Sequence, residues 1–123
     1  MELGGDAAAS GANEHMHKIK VILAEDHIFV REGTRSLLER EPDIEVVGEA
    51  SDGEEAVELV TNLRPQVVLM DIAMPKLNGI EATRQIKARY PATAVLILTA
   101  YDNDQYILAL LEAGAAGYLL KNV

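Results

Sequence analysis

Acidic, hydroxyl and amino side chains stand at the ends of four apolar runs in this sequence. Glu25 and Asp26 follow the first run, Asp71 follows the third, Thr99 follows the fourth and Lys121 follows the fifth. If these runs are neighbouring parallel strands, their carboxyl ends meet at one edge of the sheet and the side chains converge there. The sequence therefore predicts a site with three carboxylates, one hydroxyl and one ammonium group.

Such a group of residues indicates a particular chemistry. Three carboxylates held close together repel one another unless a cation lies among them. Oxygen ligands, without cysteine or a histidine cluster, favour magnesium over zinc. Magnesium in turn indicates phosphate chemistry, in which a carboxylate attacks phosphorus while the metal and a lysine neutralise the transferred group. Asp71, the lone acid after the most apolar run, is the best candidate nucleophile.

Apolar runs and amphipathic segments alternate along the chain. The runs predict strands at residues 19–24, 44–50, 67–70, 94–98 and 118–120. Helical spacing of apolar residues predicts a helix in each gap between them, with Pro, Gly and Asn-Gly breakers at the boundaries. The unbroken hydrophobicity of the runs predicts strands covered on both faces. The βαβαβαβαβ order predicts an α/β fold with a doubly wound, five-stranded parallel sheet and right-handed crossovers.

The two ends of the chain depart from this pattern. Residues 1–17 are rich in Gly, Ala and polar residues and are interpreted as a flexible leader or tag-like tail. Only residues 121–123 follow the last apolar run, so the domain at residues 18–123 is expected to be truncated before a final helix. A sheet face left uncovered in this way would favour self-association as a dimer or a domain swap.

Composition excludes several classes of function. The 123 residues carry 11 Lys and Arg against 20 Asp and Glu, and the net charge of −9 leaves no broad basic surface for direct nucleic-acid binding. The absence of cysteine excludes disulfides, thiolate catalysis and zinc–thiolate sites. The sequence has no apolar run long enough to span a bilayer and no signal-peptide pattern, so a cytoplasmic protein without membrane contact is expected.

Short motifs accompany the site residues along the chain. They are Glu25-Asp26, the segment at residues 67–71 with Met74-Pro75 and Asn78-Gly79, the step at residues 98–100, and the segment at residues 117–121. Together they resemble the receiver domain of bacterial two-component response regulators, which has a flavodoxin-like, CheY-like fold. Segments at residues 30–33, 46–50 and 114–121 are further similar to the NarL/FixJ branch, whose members usually carry a C-terminal DNA-binding domain that is absent from this chain.

The resemblance implies a phosphoacceptor and a metal site. Asp71 would accept a phosphoryl group from a sensor histidine kinase. Glu25, Asp26 and Asp71 would bind Mg²⁺, together with the backbone carbonyl of Ala73. The chain would then catalyse only its own phosphorylation and dephosphorylation, and would not be an enzyme acting on a separate substrate.

The resemblance also implies a switch. Lys121 would pair with the phosphoryl oxygens and Thr99 would hydrogen-bond to the phosphoryl group. Tyr118 would be the ring that changes rotamer when Thr99 moves. Phosphorylation would alter a surface that controls a transcriptional output domain, so any contact with DNA would be made by that domain.

Plainer interpretations stay open for single residues and for the whole chain. Alone, Asp26 would often cap a helix, Thr99 and Tyr118 would be packing residues, and Lys121 would be a surface charge. A phosphatase resembling the haloacid dehalogenase group would need a second acid two residues after the nucleophile, where Ala73 stands. The alternative is a receiver-like interaction module that signals without phosphorylation, which loss of the acceptor, acid pair or lysine would indicate; all are present.

Overall fold

The structure, a computed structural model, describes residues 18–100 and 104–121. The predicted leader at residues 1–17 lies outside these ranges. The strands are β1 (Ile19–Ala24), β2 (Ile44–Ala50), β3 (Val67–Met70), β4 (Ala94–Thr99) and β5 (Gly117–Leu120). The helices are α1 (Ile28–Glu39), α2 (Gly53–Leu63), α3 (Gly79–Arg89) and α4 (Asp104–Glu112). None of these helices is long and apolar enough to cross a membrane.

All strand pairs are parallel, and the strands lie in the order β2-β1-β3-β4-β5. The predicted doubly wound, five-stranded sheet is therefore confirmed. The chain winds outward from β1 in one direction and from β3 in the other, so the topological switch point lies between these two strands. In open sheets of this kind, ligands bind beyond the carboxyl ends of the strands at the switch point.

One face of the sheet carries the main core, under α2, α3 and α4. Every second residue of β3 and β4 points into this core and is buried, as the alternation of a strand requires. The fully buried large residues of this core are Ile22, Val60, Val68, Met70, Ile86, Val95, Ile97 and Leu110. This core holds the ends of β1, β3 and β4 in fixed positions.

The opposite face is only partly covered. Within the described residues α1 is the helix that packs there, and none of its own residues is fully buried. The expected burial on both faces is therefore confirmed for residues 21–24 of β1 and wrong for β3 and β4, where every second residue is only half-buried. Part of this face is exposed, as expected. Four leucines from β3, β4 and β5, which we call the open sheet face, are half-buried or exposed: Leu69, Leu96, Leu98 and Leu119.

Gly79 permits a close approach between the start of α3 and the end of β3. A Cβ atom at Gly79 would lie 2.2 Å from the backbone oxygen of Asp71 and 2.9 Å from the Cα atom of Ile72. The Gly79 N–H donates to the carbonyl oxygen of Ile72 at 2.8 Å. The loop that follows Asp71 is thus held against α3 by a contact that no side chain could fit.

A Gly79→Ala variant is expected to lower the free energy of unfolding by about 2 kcal/mol, because the methyl group would force the backbone at Asp71 to move. Urea denaturation would measure this. Gly33→Ala is the matched control: a Cβ there meets nothing within 4 Å. Within α1 that change should stabilise the protein by about 0.5–1 kcal/mol. Similar effects of the two substitutions would contradict the prediction.

Candidate functional site

The ends of β1 and β3 place two predicted acids side by side. Ala24 and Met70, the last residues of these strands, are register partners. The Asp71 N–H donates to the carbonyl oxygen of Ala24 at 2.9 Å, which continues the pairing by one residue. Glu25 and Asp71 therefore leave neighbouring strands at the switch point, and both side chains are buried.

Lys121 reaches this pair from the far side of β4. Its N–H donates to the Thr99 carbonyl oxygen at 2.7 Å, which fixes the backbone at the end of β5. Its Nζ atom lies 2.8 Å from Oε1 of Glu25 and 3.4 Å from Oδ1 of Asp71. The ammonium group thus contacts two buried carboxylates, as the convergence argument predicts.

His27 is a site residue that the sequence reasoning missed. Its Nδ1 atom lies 2.9 Å from Oε2 of Glu25 and 3.2 Å from Oδ1 of Asp26. The backbone N–H of His27 also donates to Oε2 of Glu25, at 3.2 Å. The only available signal was its place directly after the acid pair. His27 is also the N-cap of α1, with no side-chain capping bond, so the alternative of Asp26 as the helix cap is wrong.

Burial and charge set the acidity of the two buried acids. Burial, followed by the negative charge of Glu25, raises the pKa of Asp71 and outweighs the opposing effect of Lys121. Burial alone would also raise the pKa of Glu25, but hydrogen bonds from Lys121 and His27 hold that pKa below its ordinary value. Glu25 is therefore the better-compensated anion of the pair.

The neighbouring carboxylates raise the pKa of both basic groups of the site, Lys121 and His27. Burial would lower the pKa of Lys121, but its contacts with Glu25 and Asp71 raise the pKa overall. The hydrogen bond to Glu25, followed by the charge of Asp26, raises the pKa of His27. The carboxylates around each basic group thus favour its charged form.

The same atoms fit a divalent cation. Glu25, Asp26, His27 and Asp71 each offer a ligand atom, and these atoms all lie within 4.8 Å of one another. Three of the four are carboxylates, the ligand type that Mg²⁺ prefers. The Asp26 side chain is 30% exposed and leaves the cluster open to solvent on one side, which suits an ion that keeps several waters.

The remaining predicted residues lie on β4, on β5 and in the loop after Asp71. Thr99 is fully buried at the end of β4, one strand beyond Asp71. Tyr118 is the register partner of Ile97, so its side chain leaves the sheet on the same face as that of Thr99. The Tyr118 side chain is 38% exposed. Ala73 is exposed in the loop after Asp71.

A family model for the response regulator receiver domain matches residues 21–123. The chain belongs to this receiver domain family. The predicted family is confirmed, and its relatives support the predicted NarL/FixJ-like branch. Phosphorylation chemistry and an acidic magnesium pocket are general features of such receiver domains.

Known relatives and solved structures extend the match. Over 107 residues the chain is 49% identical to the transcriptional regulatory protein DegU of Brevibacillus brevis, covering 87% of this chain and 45% of DegU. The signal receiver domain of the putative response regulator NarL from Mycobacterium tuberculosis aligns with a TM-score of 0.84 at 36% identity, covering 87% of this chain and 86% of that one.

A third match is the isolated REC domain of RcsB from Salmonella enterica serovar Typhimurium, solved in the presence of phosphomimetic BeF₃⁻. It aligns with a TM-score of 0.79 at 31% identity, covering 85% of this chain and 78% of that one. The chain spans about half the length of the curated relatives it matches.

Arg31 anchors the loop that carries the acid pair of this receiver domain. Its Nη1 atom donates to the backbone carbonyl of Glu25 at 2.7 Å. Its Nε atom donates to Oε1 of Glu49, on β2, at 3.0 Å. The Arg31 side chain is only 17% exposed. The guanidinium group thus ties the β1–α1 loop to the neighbouring strand and limits where Glu25 and Asp26 can point.

An Arg31→Met variant is expected to bind Mg²⁺ about tenfold more weakly, because the loop holding Glu25 loses its anchor. Calorimetric titration with Mg²⁺ would measure the change. Arg35→Met is the matched control: Arg35 also donates to Glu49, and to Glu39, but not to the Glu25 carbonyl. Equal losses in the two variants would show that Arg31 acts through Glu49 alone and would contradict the prediction.

Proposed function

We propose that Asp71 accepts a phosphoryl group from a sensor histidine kinase. The observation that carries this proposal is the buried Asp71 carboxylate, at the switch point, with Nζ of Lys121 3.4 Å from its Oδ1 atom. That oxygen also accepts the N–H of Ile72 at 2.9 Å. The carboxylate is therefore oriented at the place where open parallel sheets bind ligands, next to a cation suited to phosphate.

In the proposed reaction, an Asp71 carboxylate oxygen attacks phosphorus. The new O–P bond forms as the P–N bond of the kinase phosphohistidine breaks, and the imidazole leaves with the bonding electron pair. Lys121 pairs with the phosphoryl oxygens as charge spreads over them. Magnesium held by Glu25, Asp26, Asp71 and the Ala73 carbonyl would supply further positive charge at those oxygens.

The proposal extends to Thr99 and Tyr118 as the switch. Phosphorylation adds nearly two negative charges and three acceptor oxygens beside the end of β4. Thr99 stands at that end, and its hydroxyl would turn to the phosphoryl group. Tyr118 leaves the same sheet face one strand away and is partly exposed, so its ring has room to follow. The surface of α4 and β5 would change as a result.

The receiver domain would control transcription, and the protein would act in the cytoplasm. DegU and LiaR, to which this chain is similar, are transcriptional regulatory proteins. A net charge of −9 does not favour direct contact with DNA phosphates. We therefore assign DNA binding to an output domain outside this chain. The chain itself would catalyse only its own phosphorylation and dephosphorylation.

Self-association is a further part of the proposal. The open sheet face presents Leu119, which is 54% exposed, beside the half-buried Leu96 and Leu98. A second copy of the chain presents the same leucines, so an isologous contact would bury apolar surface from both. Sedimentation equilibrium over a range of concentrations tests this, and a monomer at every concentration would contradict it.

The phosphoacceptor proposal is tested by incubation with acetyl phosphate, with Mg²⁺ or with EDTA, followed by intact-mass measurement. One added phosphoryl group with Mg²⁺ and none with EDTA is the expected result, and peptide mapping should place it on Asp71. No added mass in protein that is folded by circular dichroism would contradict the proposal. It would favour the alternative of a receiver-like interaction module that signals without phosphorylation.

A further inference from the structure

His27 brings a nitrogen atom to a cluster otherwise made of carboxylates. Its Nδ1 atom lies 2.9 Å from Oε2 of Glu25 and 3.2 Å from Oδ1 of Asp26. Two ligands of one tetrahedral zinc ion, each bonded at about 2.0–2.1 Å, lie roughly 3.3 Å apart. Both distances from Nδ1 of His27 are close to that ligand spacing. Asp71 offers a fourth ligand atom within 4.8 Å of the others.

Nitrogen changes which metal such a cluster prefers. Mg²⁺ favours carboxylate, carbonyl and water oxygens, whereas imidazole suits zinc and other first-row transition metals. At a given site of nitrogen and oxygen ligands, zinc also binds more tightly than manganese does in general. A site of three carboxylates and one imidazole is therefore able to hold either class of ion, through different subsets of its ligands.

We propose that His27 makes the cation site of this receiver domain a Zn²⁺ site as well, with Nδ1 of His27, Glu25, Asp26 and Asp71 as ligands. The inference rests on the proposed function, because both ions would use the same carboxylates. On binding, the metal replaces the hydrogen that Nδ1 now shares with the two carboxylates, and that proton passes to solvent. The imidazole is 66% exposed, so it can turn toward the ion.

The consequence is regulatory. A tetrahedral Zn²⁺ with four protein ligands would have no open position for a phosphoryl oxygen, and it would exclude Mg²⁺ from Glu25 and Asp26. Zinc would therefore inhibit phosphorylation in competition with magnesium.

The experiment titrates Zn²⁺ and, separately, Mg²⁺ into the protein by calorimetry, in a buffer alkaline enough to keep imidazole neutral. The chain has three histidines, and His15 and His17 could bind zinc independently. All samples therefore carry His15→Asn and His17→Asn, with and without His27→Asn. The His27→Asn change is expected to weaken Zn²⁺ binding at least about tenfold and Mg²⁺ binding much less.

A second readout follows the imidazole directly. On adding Zn²⁺, the ¹⁵N resonance of Nδ1 of His27 should shift to a position typical of a metal-bound nitrogen. An unshifted resonance would overturn the inference, as would unchanged Zn²⁺ affinity in His27→Asn. Equal losses of Zn²⁺ and Mg²⁺ affinity would also overturn it, since His27 would then only position the acids. The proposed function is tested separately, by phosphorylating the protein that retains His27 with acetyl phosphate and Mg²⁺ in the absence of Zn²⁺.

Discussion

An Asp71→Asn variant is expected to take up no phosphoryl group from acetyl phosphate and Mg²⁺. An amide lacks the anionic oxygen that attacks phosphorus, while its size and position stay nearly those of the carboxylate. Intact-mass measurement beside the wild-type protein gives the answer. A phosphoryl group on the variant would place the acceptor at another residue.

The same substitution should stabilise the metal-free protein. Burial and the charge of Glu25 raise the pKa of Asp71, and a carboxyl group whose pKa is higher in the folded chain opposes folding once it is ionised. That cost is fully present above the folded-state pKa and is lost as the pH falls below the unfolded-state pKa. We expect Asp71→Asn to add about 1 kcal/mol to the free energy of unfolding near neutral pH, and nothing in strong acid.

Urea denaturation in EDTA at a series of pH values measures this difference. A destabilised variant at neutral pH would mean that the contact of Asp71 with Lys121 outweighs the burial of its charge. Asp71 would then be a structural partner of Lys121, and the loss of phosphorylation would have to be judged only on samples shown to be folded.

A Lys121→Met variant is expected to phosphorylate about 100-fold more slowly, because the ammonium group that neutralises the phosphoryl oxygens is removed. Mg²⁺ binding should be kept or become tighter. The lost positive charge lies 2.8 Å from Glu25 and 3.4 Å from Asp71, where it opposes a second cation. The rate of mass increase with acetyl phosphate and a calorimetric Mg²⁺ titration measure the two effects.

Lys20→Met is the matched control for this variant. It makes the same change in net charge, but Lys20 is exposed near the amino end of β1, away from the site. Its phosphorylation rate should equal that of the wild-type protein. A Lys121→Met protein that loses Mg²⁺ binding along with its phosphorylation would contradict the prediction, since Lys121 would then hold the acids in place.

Much of the fold follows from local patterns. Apolar runs separated by amphipathic segments predict β3 at the residues where it is found, and β4 differs by one residue, because Thr99 also continues the strand. The convergence of Glu25, Asp71 and Lys121 follows from one topological rule, that parallel strands align their carboxyl ends. The prediction of burial on both faces fails for β3 and β4 because hydrophobicity shows what a strand is able to bury and not which helices cover it.

The meeting of Glu25, Asp71 and Lys121 follows from the sequence, because these residues stand at the carboxyl ends of parallel strands. Three other contacts become visible only in the folded chain: His27 contacts both acids, Arg31 donates to the Glu25 carbonyl, and α3 approaches Asp71 at Gly79. These contacts depend on side-chain rotamers and on the packing of segments far apart in the chain. The periodicity of apolar residues predicts neither the rotamers nor this packing, because it shows only which face of an element is apolar.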